Sequence, residues 1–235
     1  MEAPRSIGVI MDGNRRFAKR LLKNPYEGHK LGREKAREFL EWAKDIGIKC
    51  VTFYSLSAEN LTKRPKIELD KLFEYLDEEL DSILEDDHRV HETKTRVKFI
   101  GRLELLPEHI QKKMKEVEER TKDYNEHYLN MAIAYGGQQE IVDACRKIAE
   151  KVKEGSLDLE KIDKELLSAN MYIEESNYPD LIIRTGNVKR ISNFLLWESA
   201  YSELAFTEEM WPDFKKETFL KIIEDYNKRE RRFGK

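Results

Sequence analysis

Cysteine is scarce: Cys50 and Cys145 are the only two in 235 residues. So small a number excludes a disulfide framework and a cysteine-ligated metal centre. Both read as small buried apolar residues, Cys50 in a strand and Cys145 in a helix. Glycine (11) and proline (6) are few and scattered, and no low-complexity run or fixed-period repeat is present, which excludes linkers and solenoids. No stretch approaches the ~20 apolar residues of a membrane span. At the N-terminus only Ile7 to Met11 is apolar before Asp12 intervenes, too short for the core of a signal peptide. A soluble, cytoplasmic protein is expected. A basic excess is also lacking, since the formal net charge is −3, and that argues against a general nucleic-acid binder. The fingerprints GxxxxGK[ST], GxGxxG and GxSxG are absent, so P-loop, Rossmann and hydrolase-elbow readings have no support. His88, His91, His109 and His127 lack the spacing of a zinc site.

What is present is charge and a strand–helix alternation. Charged residues make up 38% of the chain, above the usual ~25%, an enrichment that fits surface ion pairs. Apolar, β-branched-rich runs recur: SIGVIM (6–11), KCVTFYSL (49–56), RVKFIG (96–101), YLNMAIAY (128–135), DLIIRTG (180–186) and SELAF (202–206). Several are continuous rather than alternating, as strands covered on both faces should be. Between them Leu69, Leu72, Phe73, Leu76, Leu80, Ile83 and Leu84 follow helical spacing opposite an acidic face. Ala36, Phe39, Leu40 and Ala43 do the same, as do Ile110, Met114, Val117 and Thr121 after Pro107. The length suits one domain or two small ones, no stretch reads as a linker, and the alternation predicts a single-domain α/β fold with a mostly parallel central sheet flanked by helices.

In such sheets ligands bind outside the carboxyl ends of the strands. Asp12, Gly13, Asn14, Arg15 and Arg16 follow the first strand; Ser55, Ser57, Glu59, Asn60 and Arg64 follow the second. Gly136 and Gly137 follow the fourth, and Arg184, Thr185, Gly186, Arg190 and Ser192 stand at or beyond the end of the fifth. One edge therefore collects carboxylate, amide, hydroxyl and several arginines. Arginine binds phosphate oxygens bidentately, and an aspartate among arginines suits a phosphate group if Mg2+ lies between them. Together these point to an Mg2+-dependent enzyme handling one or two diphosphates.

Each constellation has a plainer reading. In DGNRR, Asp12 or Asn14 could be an ordinary helix N-cap. The stretch SLSAENLTKRP is a polar loop if Pro65 merely opens a helix. Arg184, at the end of a buried strand, with Arg190 and Ser192 would clamp a diphosphate, or else Arg184 belongs to a structural salt bridge. Glu203 could ligate a metal, though a solvent-facing edge carboxylate is the simpler reading, and a lone His29 is more often structural.

The chain closely resembles the cis-prenyltransferases, the undecaprenyl and dehydrodolichyl diphosphate synthases. The resemblance is carried by IMDGNRRFAK with EGHK, FYSLSAENLTKRP, NMAIAYGGQQEIVDA, DLIIRTGNVKRISNFLLWESAYSELAF with WPDF, and NKRERRFG. It implies repeated condensation of isopentenyl diphosphate onto an allylic diphosphate such as farnesyl or geranylgeranyl diphosphate, giving a long polyprenyl diphosphate for a glycosyl carrier lipid. It implies that Asp12 serves Mg2+ and diphosphate departure and that Glu203 is a second metal carboxylate. Gly13, Asn14, Arg15 and Arg16, with Phe17 and His29 beside them, would hold the allylic diphosphate. Asn60 would help remove the proton, with Ser57, Glu59 and Arg64 as neighbours. Arg184, Arg190, Ile191 and Ser192 would hold isopentenyl diphosphate, and Arg232 and Gly234 would reach toward the partner subunit of a homodimer. The growing chain needs an apolar tunnel between sheet and helices, for which helix 67–85 and strand 128–135 are candidate walls. Peripheral membrane contact is expected because such products enter a bilayer.

Pro25, Leu61 and Val188 depart from the bacterial pattern, and Arg15 stands where bacterial members carry glycine. The mixture is archaeal-like and leaves primer choice open. Two rivals remain: a non-catalytic partner subunit, and a phosphohydrolase using the same pocket.

Overall fold

The first strand shows why the chain folds as it does. In β1 (Ser6–Ile10) every residue is buried, because strands pair with it on both edges and layers cover both of its faces. The computed structural model describes residues 3–229, so Arg232 and Gly234 lie outside the described residues. After β1 come α1 (Asn14–Arg20), α2 (Pro25–Asp45), β2 (Cys50–Ser57), α3 (Ala58–Lys63), α4 (Lys66–Leu84), α5 (Arg89–Glu92) and β3 (Thr95–Ile100). Then follow α6 (Glu108–Thr121), β4 (His127–Tyr135), α7 (Gly137–Lys153), α8 (Lys164–Ala169), β5 (Leu181–Arg184), β6 (Glu203–Phe206) and α9 (Lys216–Lys228). All six expected strands form, and they pair in the order β3-β4-β2-β1-β5-β6. Every pairing is parallel, so all six carboxyl ends share one edge.

The two faces are packed differently. Ile7 and Val9 of β1 join Phe39 and Ala43 of α2 and Phe219 and Ile223 of α9 in one core. Phe39 is its hub, with ring centroids 4.8 Å from Phe219 and 5.6 Å from Trp211. Ile10, Tyr54 and Ile182 belong to a core completed by Phe194 and Leu195. Gly8 makes that packing feasible, since a Cβ there would stand 3.0 Å from the Phe194 ring. A third core fills the space between α4, α6 and the β3 side of the sheet, built on Leu80, Ile110, Met114 and Val97.

Two expectations are corrected. Cys145 is exposed: the buried stripe of α7 runs through Glu140, Ala144 and Ile148, and the next residue points about 100° away from it. Glu203 does not join Asp12 within the chain. It opens β6 in register with Leu181, whereas Arg184, at Asp12's end of the sheet, is in register with Phe206. Three parallel residues put Glu203 about 10 Å down the strand direction, where it pairs with Arg229.

Candidate active site

Asp12 leaves β1 at its carboxyl end, and its position is fixed through the backbone. Its carbonyl accepts from Trp211 N at 2.9 Å and from Thr185 Oγ1 at 2.7 Å. Neither Asp12 nor Asn14 caps α1. The N-cap is Gly13, at φ 110°, with no side-chain cap bond. A Cβ on Gly13 would stand 2.8 Å from Met210 Cβ, so this glycine answers to protein packing as well as to backbone conformation. The Asp12 carboxylate is thereby free to bridge two arginines. Oδ1 accepts from Arg16 at 3.0 Å and Oδ2 from Arg184 at 2.8 Å.

Arg184 is nearly buried, with 6% of its side chain exposed. Its guanidinium also donates to the Arg190 carbonyl and to Ser192 Oγ, both at 2.6 Å, and Arg190 Nε donates to the same hydroxyl at 3.2 Å. The salt-bridge reading of Arg184 is thus realised, but with another residue of the cleft as its partner. Arg16 donates to the Gly186 carbonyl at 2.6 Å, and a Cβ on Gly186 would stand 2.5 Å from that guanidinium.

The second wall comes from β2 and α3. The register of β2 against β4 shifts between Tyr54 and Leu56, an irregularity that leaves Ser55 out of the ladder, beside the cleft. Ser57 caps α3 by accepting from Asn60 N at 3.1 Å. Glu59 accepts from Asn193 at 2.9 Å. Partial burial would raise the Glu59 carboxyl, but bonds from its own backbone N–H and from Asn193 outweigh that and hold it below the usual carboxylate range.

A buried ion network backs this wall. Glu68, which the motif reading passed over, is 4% exposed. Arg64 Nη1 donates to Glu68 Oε1 at 2.6 Å and to His29 Nε2 at 2.8 Å. The two protons of that nitrogen serve one acceptor each, so the 3.1 Å separation of His29 Nε2 and Glu68 Oε1 reflects a shared donor, and the imidazole proton sits on Nδ1. Burial, then the Arg64 charge, lower the His29 pKa to about 4 against the opposing pull of Glu68. His29 is therefore neutral at physiological pH and positions Arg64.

Asp12, Asn14, Arg15, His29, Ser57, Glu59, Asn60, Arg64, Arg184, Arg190 and Ser192 all line one cavity of about 740 Å3. Three expected residues stand behind its wall. Phe17 is buried beneath the Arg20 guanidinium, Ile191 packs on the core of Tyr54 and Phe194, and Gly13 faces Met210. A smaller, largely apolar cavity of about 180 Å3 adjoins the first, sharing Met11, Asn14, His29 and Ser55. Leu72, Leu76, Leu80 and Ile83 of α4 and Leu129 and Met131 of β4 line it, so the two expected walls are in place. A third cavity, of about 450 Å3, shares Leu40, Ile83 and Leu129 with the second and lies toward the amino ends of the strands. Polar cleft and apolar cavities thus adjoin between the sheet, α2 and α4.

The family model described as putative undecaprenyl diphosphate synthase matches residues 10–234. The chain belongs to that family. It is accordingly an enzyme that transfers prenyl groups, a cis-prenyltransferase making polyprenyl diphosphate from an allylic primer. A relative from Methanocaldococcus jannaschii, a tritrans,polycis-undecaprenyl-diphosphate synthase (geranylgeranyl-diphosphate specific), is 52% identical over 99% of this chain and 83% of its own length. Among solved structures, a lavandulyl diphosphate synthase from Lavandula x intermedia in complex with dimethylallyl diphosphate superposes with a TM-score of 0.91 at 32% identity, covering 99% of both chains. A probable undecaprenyl diphosphate synthase from Campylobacter jejuni gives 0.81 at 34% identity, covering all of both chains.

The donor set fits a hard divalent cation in one way. Asp12 offers carboxylate oxygens with 29% of the side chain exposed, and no group of three His, Cys, Asp or Glu suited to hold a metal exists among the described residues. Mg2+ commonly takes one or two carboxylates plus substrate phosphate oxygens and water. The cleft therefore suits a cation shared with a bound diphosphate.

Proposed function

We propose that the protein extends geranylgeranyl diphosphate by repeated condensation with isopentenyl diphosphate, in the presence of Mg2+, to a long-chain polyprenyl diphosphate for a glycosyl carrier lipid. One observation carries the reading: a cationic cleft organised by Asp12 adjoins apolar cavities under α4. The cationic part suits diphosphates, and the apolar part suits a growing hydrocarbon chain. The archaeal relative's specificity supports the choice of primer.

Arg184, Arg190 and Ser192 are assigned to the diphosphate of isopentenyl diphosphate, and Asn14, Arg15 and Arg16 to that of the primer. Arg64, held by His29 and Glu68, adds positive charge on the second wall. Mg2+ bound at Asp12 would offset negative charge on the leaving diphosphate. As the primer's carbon–oxygen bond lengthens, the arginines stabilise that same developing charge from fixed positions. Asn60 is assigned to orienting the loss of the proton that completes the new double bond. The apolar walls keep water from the allylic cation, which favours attack by the alkene over hydrolysis. The protein is expected to act as a homodimer, which light scattering of the purified protein checks.

The test supplies labelled isopentenyl diphosphate and Mg2+ with geranyl, farnesyl or geranylgeranyl diphosphate in parallel. Long products made best from geranylgeranyl diphosphate, lost at least a hundredfold in Asp12→Ala, are expected; about that loss follows from removing one preorganised electrostatic group. No extension by the folded protein would favour a non-catalytic subunit. Phosphate release without condensation would favour a phosphohydrolase.

A further inference from the structure

Charge is unevenly placed on this acidic chain. Residues 13–26 carry five cations and no acid, and residues 60–67 carry three and none. The two segments flank the cleft: Arg15 of α1 lies 3.6 Å from Glu68 of α4, and Arg15, Lys63 and Arg64 line the cavity. Arg20 and Lys23 are paired with Asp213 and Glu27, while Lys19, Lys63 and Lys66 are exposed.

Large apolar side chains are exposed on the same two segments. Leu22, between α1 and α2, is 97% exposed, its neighbour Leu21 is 45% exposed, and Ile67 in the first turn of α4 is 75% exposed. Leu22 also sits at φ 56°, a conformation that asparagine and glycine adopt more readily than leucine. Exposure and backbone both argue against leucine here as a matter of stability.

We infer that this rim, with Leu21, Leu22 and Ile67 inserted and Lys19, Lys63 and Lys66 at headgroup level, docks on an anionic lipid bilayer. Exposed apolar tips interleaved in sequence with exposed lysines suit such a surface better than a neutral one. The choice of a bilayer rests on the proposed function, because a long polyprenyl diphosphate is itself a lipid. The rim would place the mouth of the cleft where its diphosphate headgroup lies.

Vesicle sedimentation of the full chain without substrate tests the inference separately from catalysis. Phosphatidylcholine vesicles with an equal part of phosphatidylglycerol should bind the protein, and pure phosphatidylcholine should not. Leu22→Asp and Ile67→Asp should each lower the partition coefficient about tenfold or more, given the worth of one buried aliphatic side chain. Lys19→Gln with Lys66→Gln should lower it about 25-fold, near fivefold per charge. Leu22→Asn relieves the backbone, so it should melt no lower than the parent yet bind vesicles more weakly. Condensation assayed in detergent should be unchanged in all of these variants. Equal binding to both vesicle types, or parental binding by Leu22→Asp and Leu22→Asn, overturns the inference. So does a change in oligomeric mass in place of lost vesicle binding, which would assign the rim to a second copy. Vesicle binding by a chain that shows no condensation would instead count against the proposed function.

Discussion

Glu68 is the residue whose removal says most about how the cleft is held. Its side chain is 5% exposed, with Arg64 at 2.6 Å and Arg15 at 3.6 Å. Truncating one partner of a buried ion pair costs about 3–5 kcal/mol, because the other charge is left uncompensated. Arg64 keeps its bond to His29 and 14% of its side chain exposed, which places Glu68→Ala at the lower end, about 3 kcal/mol. For a chain of this size that corresponds to a fall in Tm of about 6–12 °C. Glu68→Gln, which keeps the shape and one acceptor, should cost about half as much. The decisive assay is a double-mutant cycle on Tm with Arg64→Met. If Glu68 acts through Arg64, the double variant should be about 1.5–2 kcal/mol more stable than additivity predicts. Activity supplies a second readout: the KM for the allylic diphosphate should rise in Glu68→Gln more than kcat falls, since Arg64 lines the cleft but loses its fixed direction. Additivity within about 0.5 kcal/mol would refute the reasoning, since Glu68 would then be a buried acid with no hold on Arg64.

Two further predictions rest on independent contacts. Gly32→Ala would put a Cβ 2.3 Å from Asn14 Oδ1 and 3.1 Å from the Trp211 ring, so it should cost about 1–3 kcal/mol by overpacking and lower condensation by displacing the amide; parental Tm and activity would show that α2 simply moves aside. Glu198, 4% exposed, has its carboxyl held above the usual range by burial and then by the charge of Glu140. The fold therefore retains a proton that the unfolded chain releases above the ordinary carboxylate range. Stability should fall as pH rises from there through neutrality, by at most about 1.4 kcal/mol per pH unit for each retained proton. Glu198→Gln should flatten that slope in thermal melts, and an unchanged slope would remove Glu198 from the account.

The sheet edge was legible from the sequence because parallel strands put all their carboxyl ends on one side. Reading the residues after each strand was therefore enough to gather Asp12, Ser57, Asn60, Arg184 and Ser192, which share one cavity. The same rule separates Asp12 from Glu203, to which the resemblance gave a metal role: Glu203 precedes its strand's apolar residues, so the chain carries it to the opposite end of the sheet. Phe17 was named for standing beside the primer loop and Ile191 for its place between Arg190 and Ser192, yet sequence neighbours of a site residue face away from it as often as toward it; here Phe17 is buried and Ile191, partly buried, packs on the core of Tyr54 and Phe194.

Glu68 escaped for a different reason. It lies on a helix whose polar residues were read as a solvent face, and only tertiary packing brings His29 from α2 against it. Its i,i+4 spacing from Arg64 across Pro65 was a visible signal, though such pairs on exposed helices are common and contribute little. The glycines of GHKLG held a second one. A Cβ on Gly28 would meet the Asn14 carbonyl at 2.1 Å, and one on Gly32 would meet its side-chain oxygen at 2.3 Å. Two glycines four apart give α2 a flat stripe, and on that stripe the first turn of α1 is laid down. The Asn14 amide is held locally, by donation to the Met11 carbonyl at 3.2 Å, but the room it occupies is left by α2, and no reading of DGNRR in isolation could have supplied that.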